Sequence, residues 1–238
     1  VANDGGVYLR DSLGEYSDKS DGLEIAQIYR LGLSPHRHSD MICGTQDNGT
    51  SLYNSDGWQR ILDGDGMGCF YHDSDSNTLF MSAYYGLLYR SLDAGRSNTQ
   101  IANYSGTGVN EVGNWLTPWL ASPNNPDVIY VGKKSVYRSD DSGVTWSTLG
   151  TMSDTKADAI AISVTDPNTI LVAKRDELWR SINGYDFTEL SNLPGETISD
   201  VLISSSNSNE IWVSFGSFTN DNQVWVTYDG GDSWIDKS

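Results

Sequence analysis

The chain is short of cysteine, histidine and positive charge, and each shortage closes off a class of protein. Two cysteines in 238 residues, Cys43 and Cys69, do not make a disulfide framework. They leave open two buried thiols or one bridge between neighbouring strands. The three histidines are not placed for zinc: His36 and His38 sit in the polar turn Ser34-Pro35-His36-Arg37-His38-Ser39-Asp40 and read as solvated. Fifteen basic residues against 32 acidic ones give a formal charge of -17, which argues against a nucleic-acid partner or an anionic membrane surface. No apolar run approaches the roughly 20 residues of a bilayer-spanning helix, so membrane insertion is not expected. Val1 follows no basic-then-apolar leader, and the chain reads as a mature piece or an excerpt of a longer polypeptide.

What the sequence has in quantity is turn chemistry. Ser139-Asp140-Asp141-Ser142-Gly143-Val144-Thr145-Trp146 has the spacing S-x-D-x-G-x-T-W. Ser139 and Asp141 can accept backbone N–H bonds across a tight bend, Gly143 can take a positive φ, and Trp146 can pack beneath as core. Thr227, Asp229, Gly231 and Trp234 repeat the pattern almost whole, and Ser91, Asp93 and Gly95 repeat it without the tryptophan. Ser181 to Phe187 and Asn54 to Trp58 are worn copies. The recurrence every 36 to 48 residues is that of a propeller blade.

These residues resemble the Asp-box, or bacterial neuraminidase repeat, of sialidases, sortilin-type receptors and xyloglucanase-type glycoside hydrolases. The likeness implies an all-β propeller of four-stranded antiparallel blades, extracellular or at the cell surface, with the periplasm as the other compartment. It implies no single activity, because the box is a folding device shared by proteins that do different things.

Read in order, the chain gives a partial N-terminal blade around Val7-Tyr8-Leu9 and then about five full blades, with residues 1–238 forming one domain. The strands, A to D from innermost outward, begin with Ile25 to Leu33, Met41 to Gly44, Ser51 to Tyr53 and Trp58 to Leu62. Further blades span Gly66 to Ala102, Asn114 to Leu149, Ala157 to Leu190 and Thr197 to Ile235. A second repeated signal, as in Asp73 to Asn77 and Val164 to Asn168, marks each A–B turn.

The regular A–B and C–D turns share one end of each blade, and the irregular B–C and D–A loops share the other, where a site is expected. There Gln46, Asp47 and Asn48 should neighbour Asp63 and Asp65. The run Gly44 to Thr50 followed by Asp63-Gly64-Asp65-Gly66 resembles propellers of large bacterial surface proteins, and Asn3 to Gly6 fits the same slot. These residues carry three readings: loop capping, a calcium site on Asp63 and Asp65 with Asp47, and a general acid and base pair as in a glycoside hydrolase. Tyr84, Tyr85 and Trp115 could stack on a sugar or pack a rim, and Phe215 and Phe218 fall on the longest B–C loop. Arg90, Arg138 and Arg180 each precede a turn copy, so they read as a blade feature and not as the carboxylate clamp of a sialidase. The expected partner is a glycan or a protein, alongside further domains of the same polypeptide.

Overall fold

A computed structural model describes residues 2–3, 6–19, 26–216 and 223–238. Those residues form twenty-three strands in six antiparallel sheets, with no α-helix among them. The first sheet has three strands, β1 (Ala2–Asn3), β2 (Gly6–Arg10) and β3 (Tyr16–Asp18). The second contains β4 (Ile28–Leu33), β5 (Met41–Thr45), β6 (Gly49–Asn54) and β7 (Gly57–Leu62), and the third β8 (Gly66–Tyr71), β9 (Leu79–Ala83), β10 (Leu87–Ser91) and β11 (Thr99–Ala102). The fourth is β12 (Trp119–Ser122), β13 (Asn125–Gly132), β14 (Val136–Ser139) and β15 (Ser147–Leu149). The fifth is β16 (Ala159–Ile162), β17 (Ile170–Lys174), β18 (Glu177–Ser181) and β19 (Thr188–Leu190). The sixth is β20 (Ile198–Ile203), β21 (Ile211–Phe215), β22 (Val224–Thr227) and β23 (Ile235–Asp236). All five four-stranded sheets run as meanders in chain order, as the A-to-D reading requires.

The chain packs as two compact units, Val1–Ala83 with Tyr89–Thr99, and Tyr84–Leu88 with Gln100–Ser238. In the first, Ile42, Leu52, Cys69, Leu79 and Met81 make a core to which the second strands of two sheets contribute. In the second unit Ile170, Val172 and Tyr130 centre one cluster, and Leu171, Val213 and Ile211 another. Second strands β9 and β17 are buried along their whole length, on both faces, which is why they read as continuous apolar runs without alternation. The last outermost strand, β23, is exposed and only two residues long.

The repeated turn is built as its residues dictate. In Ser139 to Trp146, Ser142 and Gly143 take φ of 57° and 89°, giving the doubly left-handed bend of a tight hairpin. The Ser139 hydroxyl accepts the Gly143 N–H at 2.8 Å, and Asp141 accepts the N–H groups of Val144 and Thr145 and the Thr145 hydroxyl. Asp93 and Asp229 accept the equivalent bonds from Ser97 and Ser233. The bend also ties down the A–B turn of its own sheet: Ser142 donates to the Asp127 carbonyl, Ala94 to Asn77, Gly184 to Asn168 and Gly230 to Asn209. The two repeated signals in the sequence are thus halves of one hydrogen-bonded device.

Those bonds make the turns acid-sensitive. Hydrogen bonds from the Ser97 side chain and backbone and from Ser91 hold the Asp93 carboxyl down at about 2, against an ordinary 3.8. A carboxyl depressed in the folded state contributes stability that is present above its unfolded value and lost as pH falls through its folded one. Melting temperature should therefore drop between pH 4 and about 2, and Asp93→Asn should flatten that drop, measured by circular dichroism across the range.

Two expectations need correction. Trp146 and Trp234 are half-buried and not fully buried core: they stand just before the outermost strand, and Trp234 packs against the Val213–Ile198 cluster from its edge. Trp146 still anchors the turn by donating Nε1–H to the Ile101 carbonyl at 3.0 Å. Phe215 is no loop aromatic: it ends β21 and is buried in the core with Val213 and Ile198, while Phe218 lies outside the described residues. His36 is exposed but tied, its Nε2 lying 3.0 Å from the His72 carbonyl. Cys43 and Cys69 are both free and buried on β5 and β8 of the first unit. Burial pushes the Cys69 thiol up to about 12, so it stays protonated and unreactive at neutral pH.

Candidate functional site

The sheet meanders put the β9–β10 loop and the β11–β12 loop at one end of the second unit, and Tyr84, Tyr85 and Trp115 meet there. Tyr85 adopts φ 59°, ψ 18°, a costly conformation for an aromatic residue that is over-determined by its surroundings. Its N–H donates to the Trp115 carbonyl at 3.2 Å, and its own carbonyl accepts the Gly113 N–H at 3.0 Å. Gly86 follows because a Cβ there would lie 2.8 Å from Lys133 Cε.

This backbone pair holds three rings in contact. Tyr84 and Trp115 stack in near-parallel planes, 11° apart with centroids 5.7 Å apart, and Tyr85 stands edge-on to both at 5.8 and 5.2 Å. The rings stay open to solvent at 36, 39 and 42 % exposure for Tyr84, Tyr85 and Trp115. Lys156 Nζ sits 5.9 Å from the centre of the Tyr85 ring and donates to the Gly113 carbonyl at 2.9 Å, and the Tyr104 hydroxyl reaches the Tyr84 carbonyl at 3.3 Å. Rim packing would have covered the rings; this arrangement fixes them and leaves them exposed.

Two buried lysines of the second unit were not singled out from the sequence, Lys133 next to Gly86 of the platform loop and Lys174 in the following sheet. Lys133 and Lys174, at the ends of the second strands of consecutive sheets, are fully buried. Lys133 donates to the Glu111 carbonyl at 2.7 Å and to that of Asn103 at 3.4 Å, and Lys174 to the carbonyls of Ser153 and Lys134 at 2.7 and 2.5 Å. Burial pushes the Lys133 ammonium down to about 8, against the pull of Glu111. Each ammonium satisfies loop carbonyls that no strand partner serves, and so staples a long D–A loop to the sheet. The signal was in the sequence as a lysine recurring at one blade position.

In the first unit the neighbourhood of Gln46, Asp47, Asn48 and Asp65 is as expected. Asp47 takes φ 60° and its N–H donates to Asp65 Oδ1 at 2.9 Å. Tyr29 donates to Gln46 Oε1 at 3.3 Å, and Asn48 caps the Gln46 carbonyl through its N–H and its Nδ2. Asp63 is not gathered with them into a cation site; its Oδ1 pairs with Arg60 Nε at 3.1 Å. Among the described residues no three His, Cys, Asp or Glu side chains are grouped to hold a metal ion. Asp65 is spent on a backbone donor and Asp63 on an arginine, so calcium and a chelator should both leave the melting curve unchanged. A calcium-dependent rise that Asp65→Asn abolishes would contradict this.

The glycines of this run have a role of their own. A Cβ on Gly44 would lie 2.0 Å from the Met67 carbonyl oxygen, one on Gly66 would lie 2.2 Å from that of Gly49, and one on Gly49 would lie 2.0 Å from that of Leu62. Backbone meets backbone here, so Gly44-to-Thr50 and Asp63-to-Gly66 form a packing motif between β5, β6 and β8.

No protein-family model and no curated protein matches the sequence. Solved structures do. A GH74 enzyme from Niastella koreensis is similar with TM-score 0.70 and 17 % identity, over 99 % of this chain and 42 % of that one. An ancestral GH74 enzyme gives TM-score 0.70 and 15 % identity over 89 % of this chain and 31 % of that one. The fold is a β-propeller. YCF48 bound to D1 peptide, with TM-score 0.62 and 13 % identity over 95 % of this chain and 73 % of that one, has the same fold. The propeller chain described here spans only about a third to two-fifths of the length of the GH74 structures.

Proposed function

We propose that this propeller is a binding module of a longer secreted or cell-surface polypeptide, built on Asp-box blades, and that it holds a glycan on Tyr84, Tyr85 and Trp115. The carrying observation is the exposed, stacked Tyr84–Trp115 pair, its loops joined by the bonds from the Tyr85 N–H to the Trp115 carbonyl and from the Gly113 N–H to the Tyr85 carbonyl. Sugar rings present apolar C–H faces that pack on such surfaces, and a platform fixed before binding loses little conformational entropy. Lys156 beside the rings offers a donor for ring hydroxyls.

A second reading, glycoside hydrolysis, is favoured by the likeness to GH74 enzymes and would use Asp47 with Asp63 or Asp65. It has less support, because Asp65 already accepts the Asp47 N–H and Asp63 pairs with Arg60. A glycan array and a reducing-sugar assay on the same polysaccharides separate the two. The binding reading expects retention without release of reducing ends, lost in Trp115→Ala. Release that Asp47→Asn abolishes would favour the hydrolase, and capture of peptides in place of glycans would move the ligand to the class named for YCF48.

A further inference from the structure

The Lys156 ammonium, 5.9 Å from the centre of the Tyr85 ring, is fixed there by its 2.9 Å bond to the Gly113 carbonyl, and the Gly113 N–H in turn binds the Tyr85 carbonyl. Charge and ring hang on one loop. One of the three ammonium donors is used, two remain, and among the described residues no carboxylate pairs with it. The carboxylates of the surrounding loops are turned to other donors. Glu111 accepts the Ser135 N–H and hydroxyl at 2.8 Å each, Asp158 accepts the Asn114 side chain and the Arg175 N–H, and Asp154 pairs with Lys134. The loops that carry the rings, residues 84–86 and 103–118, hold one acidic residue, Glu111, in a chain with 32. At physiological salt the screening length is roughly 8 Å, so distant carboxylates count little against an ammonium in contact.

We propose that the platform selects an acidic glycan, one whose sugars carry carboxylates, and that Lys156 binds the carboxylate. The inference rests on the reading of Tyr84, Tyr85 and Trp115 as a sugar platform and names its class of ligand. A pyranose stacked on Trp115 lays its apolar face on the indole and holds its C5 substituent out at the rim. In a hexuronate that substituent is a carboxylate, whose two oxygens match the two remaining donors of Lys156. A neutral hexose puts a hydroxymethyl group there and leaves the charge unmet. A sulfate ester, with three terminal oxygens, asks for more donors than one lysine has left. Because the ammonium is already held at the ring, little conformational entropy is lost when the carboxylate arrives.

The test is calorimetric titration of the 238-residue chain with oligomers of galacturonate, glucuronate and mannuronate, each beside its own methyl ester, with chelator present to remove bridging calcium. At least one acid oligomer should bind about tenfold tighter than its ester, the worth of one charge-assisted hydrogen bond. Lys156→Met should bring acid and ester to equal affinity without changing that of the ester, Lys156→Arg should keep the preference, and Trp115→Ala should weaken both forms. The comparison in the unaltered chain needs no variant to fold. Ester bound as tightly as acid, with both lost in Trp115→Ala, would overturn the inference and leave the platform reading standing. An acid preference that survives Lys156→Met would overturn it by placing the charge elsewhere, and so would sulfated oligomers binding in place of the uronates. Affinity kept in Trp115→Ala, or no glycan bound at all, would remove the platform reading and the inference with it.

Discussion

Gly44→Val should yield no folded protein. A Cβ at this position would lie 2.0 Å from the Met67 carbonyl oxygen and 2.6 Å from the Gly66 carbonyl carbon. Both are backbone atoms of a neighbouring strand held in its own ladder, so β5 and β8 would have to part along a buried seam. Side-chain overpacking in cores costs about 1–3 kcal/mol because side chains can shift; a backbone collision should exceed about 4 kcal/mol, a large share of the roughly 5–15 kcal/mol that stabilises a typical domain. Gly57→Ala is the control. Unlike Gly44 it has a positive φ, 89°, but nothing lies within 4 Å of its Cβ, so it should cost only about 1 kcal/mol. Soluble yield and thermal unfolding of the two variants measure the contrast. A Gly44→Val chain that folds with a melting temperature near wild type would mean that β5 and β8 do not pack this closely.

Trp115→Ala should abolish glycan retention while leaving the fold intact. The indole is 42 % exposed and supplies one of the two parallel faces, so its loss removes contact area without opening a core cavity. Central aromatic anchors typically cost about 2 kcal/mol or more on truncation, roughly thirtyfold in Kd. Tyr84→Ala should cost a similar amount, and the double variant little more than either, because each ring positions the other. Melting temperatures within a few degrees of wild type would accompany both losses. If instead these variants unfold, the rings are rim packing.

Much of the fold was legible because its determinants are local. The Ser139-to-Trp146 turn can be read from an Asp, a Gly and a Ser whose bonds all close within four residues, and the strands between such turns follow from short apolar runs. The depth of a residue within its blade is not local, which is why Trp146 and Trp234 look like core but lie half-covered beside an outermost strand. Phe215 misled for the opposite reason: it precedes a Gly-Ser-Phe-Thr-Asn run that reads as loop, while the Ile198 pairing draws it into β21.

The candidate site was legible in its residue types and not in its assembly. Tyr84, Tyr85 and Trp115 stood out as loop aromatics, but their convergence needs the left-handed Tyr85 and the bond across to Trp115, thirty residues away. Buried Lys133 and Lys174 run against the rule that lysines face water, and only the waiting carbonyls of two distant loops explain them. The Asp47, Asp63 and Asp65 cluster looked like chemistry because carboxylates draw attention, whereas the glycines between them carry the packing.

The central claim, that the open Tyr84–Trp115 face binds sugar, is tested most directly by following the Trp115 indole N–H resonance during titration with the soluble glycan best retained on the array. The account predicts a saturable shift of that resonance, with the half-buried Trp146 and Trp234 indoles unmoved. Saturable binding that leaves the Trp115 resonance where it was would contradict it.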